Sequence, residues 1–196
     1  ASEPKVVSAQ RVIVWRHGRT PWNAQGRFQG QADPPLDEVG IAQAAAAADL
    51  IAGLGVTAIV SSDLQRAVQT ADALSTRLGI AAELDPRLRE RSLGHWEGLT
   101  RAEVEASYPQ EYADWVVGRE LTRRGGETRA KVAQRAYALF ESLGEDEVAV
   151  LVTHSATALA LTGAALRLPH ERHALGPLAN CHWTELVRQG DGHYRL

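Results

Sequence analysis

Three short runs constrain the fold more than anything else in this chain. Arg11-Val-Ile-Val-Trp15, Val56-Thr-Ala-Ile-Val60 and Val148-Ala-Val-Leu-Val152 are almost wholly apolar and rich in β-branched residues. A strand wetted on one face alternates apolar and polar residues. Runs without alternation belong to strands covered on both faces, as in a parallel sheet. A weaker strand is expected near Ala81–Leu84 and a late one over Cys181–Val187. Helical patterns lie between them. Leu64, Ala67, Val68, Ala71, Leu74 and Leu78 recur at steps of three and four, which makes one apolar face. Val132, Ala136, Leu139, Phe140 and Leu143 repeat the pattern behind Thr128, a good N-cap. Thr100-Arg-Ala-Glu103 reads as a capping box, and the Ala-rich stretch Ile41–Leu54 as a further helix. Strands alternating with helices predict an α/β fold, with a mostly parallel central sheet flanked by helices on both faces.

With no internal repeat and no long Gly/Ser or Pro linker, one domain over residues 1–196 is expected. A net charge of −3 lacks the basic excess of nucleic-acid binders, so no nucleic-acid partner is expected. An anionic substrate would have to meet positive charge gathered locally. Cys181 is the only cysteine, which rules out an intrachain disulfide and zinc sites built on paired cysteines. The polar start Ala1–Gln10 lacks the apolar core of a signal peptide, and no apolar run approaches the ~18–20 residues of a membrane span. These features predict a cytoplasmic protein without a membrane partner.

In sheets of this kind ligands bind beyond the carboxyl ends of the strands. Arg16-His17-Gly18 follows the first strand, Ser61-Ser-Asp-Leu-Gln-Arg66 the second, and Thr153-His154-Ser155 the third. Basic and imidazole groups thus converge where one pocket should form. Thr20 can cap a helix and Pro21 can occupy its first position, so backbone N–H groups there would face an anion.

At these residues the sequence resembles the histidine phosphatase superfamily, with its phosphoglycerate-mutase-like fold. The matching pieces are Arg16-His17-Gly18-Arg-Thr20 with Asn23, Arg27-Phe-Gln-Gly30, Ser61-Ser-Asp63 with Arg66-Ala-Val-Gln-Thr70, Leu88-Arg-Glu90, Gly94-His-Trp-Glu-Gly98, Gly125-Gly-Glu127 and Val152-Thr-His154. The Gly-Gly-Glu segment and the ending Asn180-Cys-His-Trp-Thr-Glu-Leu186 look like actinobacterial phosphatases acting on glucosyl-3-phosphoglycerate. The resemblance implies a metal-independent phosphomonoesterase of the phosphatase branch, without a cofactor, acting on a small phosphorylated metabolite such as a sugar or glycerate phosphate. His17 would be the nucleophile, since a neutral imidazole is competent near pH 7 and a covalent intermediate splits one hard step in two. Arg16 and Arg66 would clamp the phosphoryl oxygens with paired donors. His154, protonated when phosphate is bound, would complete the positive ring. Glu90 would give a proton to the leaving oxygen and then activate water. Its blander reading is a surface glutamate paired with Arg89 or Arg91. Asn23, Gln29, Gly30 and the N–H of Ser155 are the expected substrate-binding groups around this centre.

A helical lid is expected over about residues 100–127. Within it Arg123 or Arg124 would read a second anionic group, against the alternative of a solvated loop that also carries Arg119. His95 and His182 are candidates for the pocket rim or for packing, and Trp96, Trp115 and Trp183 read as packing residues. Cys181 should be buried and inert within the late strand. His170 and His173 stand three apart but have no third ligand, so an exposed turn is expected rather than a metal site.

Other chemistries fit poorly. Arg188 stands one residue too far from Cys181 for a cysteine-phosphatase loop, and Ser155 lacks the glycines of a nucleophile elbow. A scaffold without activity would lack one of the catalytic residues, and a phosphoprotein phosphatase would need an open groove. The main alternative is a cofactor-dependent phosphoglycerate mutase. The chain lacks the longer insertion after the catalytic glutamate that marks that branch. Homodimers occur among relatives, but no interface signature is legible here.

Overall fold

The computed structural model describes residues 9–121, 123–169 and 174–196. Most of the polar segment Ala1–Gln10 and the His170/His173 pair lie outside the described residues. The strands are β1 (Arg11–Arg16), β2 (Ala58–Ser61), β3 (Ala82–Leu84), β4 (Val148–Thr153), β5 (Trp183–Arg188) and β6 (Tyr194–Arg195). The helices are α1 (Pro21–Ala24), α2 (Glu38–Ile51), α3 (Gln65–Leu78), α4 (Arg101–Ser107), α5 (Pro109–Val116), α6 (Arg129–Phe140) and α7 (Ser155–Ala165). The strands form one sheet in the order β3-β2-β4-β1-β5-β6. Pairs among the first four are parallel, while β5 runs antiparallel to β1 and β6 antiparallel to β5. The sheet is mostly parallel, as the unbroken apolar runs require.

Both faces are covered, and strand periodicity divides the core between them. Val12 and Val14 of β1, with Ala149 and Leu151 of β4, pack with Ala136, Leu139 and Phe140 of α6 and Leu161 of α7. Their neighbours Ile13, Trp15, Val150 and Val152 point the other way, into Ala44, Ala48 and Ile51 of α2 and Ala67, Ala71 and Leu74 of α3. All four residues Val12–Trp15 are fully buried. A third, smaller cluster of Trp96, Val104 and Leu121 supports α4 and α5, backed by Phe28, Tyr112 and Trp115.

Local signals set the helix starts. Thr20 and Asn23 form a reciprocal capping box for α1, as do Thr100 and Glu103 for α4, and Thr128 caps α6. At α1 the box spends the N–H groups of Thr20 and Asn23 on side chains of the same turn, so these donors do not face an anion. Cys181 is buried but precedes β5. It has a left-handed backbone (φ 59°), and its N–H bonds the carbonyl of His17. It is a turn residue, not part of the strand. No helix among the described residues is long and apolar enough to cross a membrane.

The loop after β1 is clamped between helices. Gly18 N–H donates to Thr70 Oγ1 of α3 at 3.1 Å, Arg19 N–H donates to Gln43 of α2, and Arg19 Nε pairs with Asp37 at 2.7 Å. Two glycines allow the approach. A Cβ on Gly18 would lie 2.5 Å from the carbonyl oxygen of Gly40, and one on Gly40 would lie 2.1 Å from that of Arg19. Because neither obstacle is a flexible side chain, Gly40→Ala must push α2 off this loop. Urea unfolding should show a loss of roughly 1–3 kcal/mol, the usual cost of overpacking; an unchanged midpoint would show that the close approach is not required.

Candidate active site

The three loops expected to converge do so at the carboxyl ends of β1, β2 and β4, in a cavity of about 580 Å³. That volume suits a small molecule. Its lining includes seven arginines and one carboxylate, Glu90, so the local field is strongly positive although the chain is net acidic.

His17 sits at the centre and is 2% exposed. Its N–H bonds the Thr153 carbonyl, and its own carbonyl accepts from Cys181 N–H and Asn180 Nδ2. The ring Nδ1 lies 2.7 Å from the Gly18 carbonyl, which can only accept. The ring proton therefore belongs on Nδ1, and Nε2 keeps its lone pair, as a nucleophile needs. The His154 ring lies 5.1 Å away, centroid to centroid, with its Nε2 2.8 Å from Ser62 Oγ. A Ser62 hydroxyl donating to that Nε2 leaves the proton on Nδ1, a buried atom without a hydrogen-bond partner.

Two guanidiniums flank the imidazoles. Arg66, fully buried at the start of α3, donates to the carbonyls of Gly30 and Ala32 at 2.8 and 2.7 Å. Arg16 donates to the Leu178 carbonyl. The Nε of each is buried without a partner, and neither joins a salt bridge among the described residues. Burial lowers the Arg66 pKa to about 10 and also lowers that of Arg16. Burial, then Arg66 and Arg16, hold the His17 pKa well below its ordinary value. His154 is lowered by burial, then by Arg66, His17 and Arg16. The pocket thus keeps both imidazoles neutral. The protonated His154 expected from sequence would require a bound anion to offset these charges.

Glu90 is not a surface ion-pair residue. Arg89 pairs with Asp63 at 2.6 Å, and Arg91 pairs with Glu120. The Glu90 carboxylate instead accepts from the N–H groups of Arg91, Ala156 and Thr157 and from the Thr157 hydroxyl. Two of these N–H groups belong to the first turn of α7, where the helix dipole favours a negative group. The Glu90 backbone is held as well. Arg135 of α6 donates to its carbonyl at 3.1 Å and to the carbonyls of Arg87 and Arg89, and Glu127 fixes the Arg135 guanidinium.

Asn23, Gln29, Gly30 and Ser155 all line the cavity. Asn23 Oδ1 accepts from Thr20 and Asn180, and Gln29 Oε1 accepts from the Thr20 hydroxyl at 2.8 Å. These bonds direct each NH₂ group away from Thr20, the orientation an anion-binding amide needs. Gly30 contributes backbone, with φ 52° and a carbonyl given to Arg66; a Cβ there would collide with Glu97.

The two lid arginines separate. Arg124 is 2% exposed, lines the cavity, and lies over the Trp96 ring at 5.4 Å, with its Nε lacking a partner. Arg123 is exposed and sits in a shallow depression with Glu111, Asp114 and Glu120, outside the cavity. Arg119 is exposed and paired with Asp114. Trp96 and Trp115 both pack and line the pocket, whereas His95 bonds Glu111 and His182 is exposed. Sequence reasoning missed roles for Ser62, Arg135 and Thr157. For Arg135 and Thr157 the signal was a polar residue on a helix with an apolar face, and Ser62 stood in the loop after β2; neither reveals a partner 45 to 92 residues away.

Comparison with known proteins places these features in a family. The family model for the histidine phosphatase superfamily (branch 1) matches residues 12–195. A glucosyl-3-phosphoglycerate phosphatase from Mycolicibacterium vanbaalenii is 40% identical, covering 95% of this chain and 86% of that protein. A probable phosphoglycerate mutase of Yersinia pestis is 35% identical, over 87% of this chain and 81% of its own. The solved structure of a mycobacterial glucosyl-3-phosphoglycerate phosphatase with VO3 superposes with a TM-score of 0.88 at 39% identity, covering 95% and 96% of the two chains.

The two neutral, buried histidines bear on stability. The unfolded chain protonates them near pH 6.5 and the folded pocket does not, so unfolding takes up protons below that pH. Stability is then fully present above pH 6.5 and lost as pH falls, by up to about 1.4 kcal/mol per pH unit for each histidine. Urea titrations at pH 7, 6 and 5 should show this loss, and His154→Asn should reduce its slope. An unchanged slope in the variant would show that His154 is not held neutral.

Proposed function

The chain belongs to branch 1 of the histidine phosphatase superfamily, and on that premise we propose that it hydrolyses glucosyl-3-phosphoglycerate, or a close carboxylated sugar phosphate, through a phosphohistidine at His17. It is a phosphoric monoester hydrolase, and the phosphatase reading fits it better than the mutase alternative. The observation that carries the reading is the buried His17 ring, its Nδ1 held at the Gly18 carbonyl so that Nε2 keeps its lone pair, with the charges of Arg66 and Arg16 acting on it. That nitrogen attacks phosphorus while the bond to the leaving oxygen breaks, and Glu90 supplies the proton this oxygen needs. Water then gives a proton to Glu90 and attacks the phosphorus, the P–N bond breaks, and inorganic phosphate leaves.

Arg16, Arg66, His154 and the N–H of Ser155 take the phosphoryl oxygens, helped by the NH₂ groups of Asn23 and Gln29. The size of the task explains the number of groups. Phosphomonoester hydrolysis requires on the order of 20 kcal/mol of barrier lowering. Three charge-assisted contacts supply about 5–9 kcal/mol, and fixing the nucleophile in line supplies roughly 7–11 more. No single residue suffices.

Arg124 would take the carboxylate of the substrate. It is buried, lines the same cavity and has no salt-bridge partner among the described residues, whereas Arg123 faces solvent. A cytoplasmic enzyme acting on a free metabolite, not on nucleic acid, agrees with the net negative charge.

Phosphate release from a panel of monoesters, measured in chelator, tests this. Glucosyl-3-phosphoglycerate should be preferred, and His17→Ala should abolish release and the acid-labile phosphoenzyme. Isomerisation of 3-phosphoglycerate with its bisphosphorylated cofactor, with little phosphate released, would make the protein a mutase instead. A second set of assays addresses specificity. Arg124→Ala should raise KM for the carboxylated substrate by roughly 10-fold or more, as expected for a lost charge-assisted contact, while Arg123→Ala should leave it unchanged. Equal effects of the two substitutions would remove Arg124 from the binding site.

A further inference from the structure

We propose that Thr157 is a positioning residue for proton transfer: its hydroxyl clamps one oxygen of the Glu90 carboxyl, so that the other oxygen carries the proton given to the leaving alcohol. This rests on the reading of Glu90 as the proton donor.

Thr157 is fully buried on α7, whose other buried residues are Ala158, Leu161, Thr162 and Ala165. Buried threonines on helices commonly turn the hydroxyl back to the carbonyl one turn earlier. Thr157 does not. Its Oγ1 lies 2.8 Å from the Arg89 carbonyl oxygen and 3.2 Å from Glu90 Oε1. It therefore touches both the peptide that leads into Glu90 and the far end of the same side chain. Among the described residues it is the one side chain that bonds this carboxylate; the other partners are backbone N–H groups.

The two carboxyl oxygens are not equivalent. Oε1 receives the N–H groups of Arg91 at 2.8 Å and Thr157 at 3.2 Å, and the Thr157 hydroxyl shares its single hydrogen between this oxygen and the Arg89 carbonyl. Oε2 receives one, the N–H of Ala156 at 3.1 Å. A carboxylate offers about two lone pairs per oxygen. Oε1 is filled and Oε2 has a lone pair left, so the proton to be transferred belongs on Oε2. The terminal torsion of a glutamate is broad and nearly two-fold. Without the hydroxyl, a rotation that exchanges the oxygens becomes easier and the proton is less often on Oε2. The backbone of Glu90 would stay in place, because Arg135 and Gln31 hold its carbonyl independently.

Leaving-group dependence separates this role from ordinary packing. An alkoxide leaves only with a proton, whereas 4-nitrophenolate leaves without one. The quantity to measure is kcat/KM, which covers phosphoryl transfer to His17 but not the later hydrolysis. The probes are 4-nitrophenyl phosphate and a simple alkyl phosphate, and the variants are Thr157→Val, Thr157→Ala, Thr157→Ser and Glu90→Gln. Thr157→Val should lower kcat/KM for the alkyl ester by roughly tenfold, the scale of one hydrogen bond to a charged group, and change the aryl ester by less than about twofold. Thr157→Ser should restore the alkyl rate. Thr157→Ala serves the same purpose should the valine variant not fold, and retained aryl hydrolysis reports a folded site in either. A loss shared equally by both esters, or no loss in either, would overturn the proposal. Glu90→Gln is the separate control: it should show the same selectivity with a larger loss. If it shows none, the reading of Glu90 fails, and that result is distinct from a silent Thr157 beside a selective Glu90.

Discussion

Arg66, fully buried, and Arg16, half-buried, stand beside two imidazoles without a salt bridge to either arginine among the described residues, and they are the constraint on which the rest of this structure depends. Burying an unpaired charge is costly, and the cost is tolerated only where hydrogen bonds recover part of it. Arg66 recovers it from the carbonyls of Gly30 and Ala32, and Arg16 from that of Leu178. These loops are thereby fixed around the pocket. Unpaired Nε atoms remain, and with them a site that gains most when a dianion enters. Burial, with the same two charges, holds the His17 pKa well below its ordinary value. In the proposed reaction one arrangement thus attracts the phosphate and keeps the attacking imidazole neutral.

The sheet makes this arrangement affordable. β1, β2 and β4 run parallel, so their carboxyl ends bring His17, Ser62 and His154 to one edge. Helix α7 starts directly behind β4 and divides its first donors. Ala156 and Thr157 hold Glu90, while Ser155 lines the cavity. One helix terminus thus serves both the acid–base group and the phosphate side of the pocket. Arg135 and Glu127 hold the backbone of Glu90 from α6, and the lid segment brings Arg124 and the tryptophans over the far side.

Much of the site was legible because its motifs follow strands directly. The residues after β1, β2 and β4 must lie at the sheet edge, whatever the rest of the chain does. The lid was less legible. Nothing local distinguishes Arg123 from Arg124: they are adjacent, share one charge and flank a turn. Packing of Arg124 on Trp96 separates them, and that contact spans 28 residues. The turn at Thr20 and Pro21 gave a correct helix start and a wrong partner for its donors, because the Asn23 side chain competes for the same N–H groups. Cys181 read as a strand residue from its apolar neighbours, yet its N–H bonds the His17 carbonyl two residues before β5 begins.

By itself, the sequence determined the mostly parallel sheet, the capped starts of α1, α4 and α6, and the family of chemistry. Unbroken β-branched runs, caps and motifs are local patterns, and local physics reads them. Only the tertiary structure decided that Glu90 avoids its arginine neighbours, that Ser62 partners His154, and that Arg124 rather than Arg123 lines the pocket. These depend on distances between segments remote in the chain. Hydrogen bonds and charges act over a few ångströms of space and are indifferent to separation along the chain.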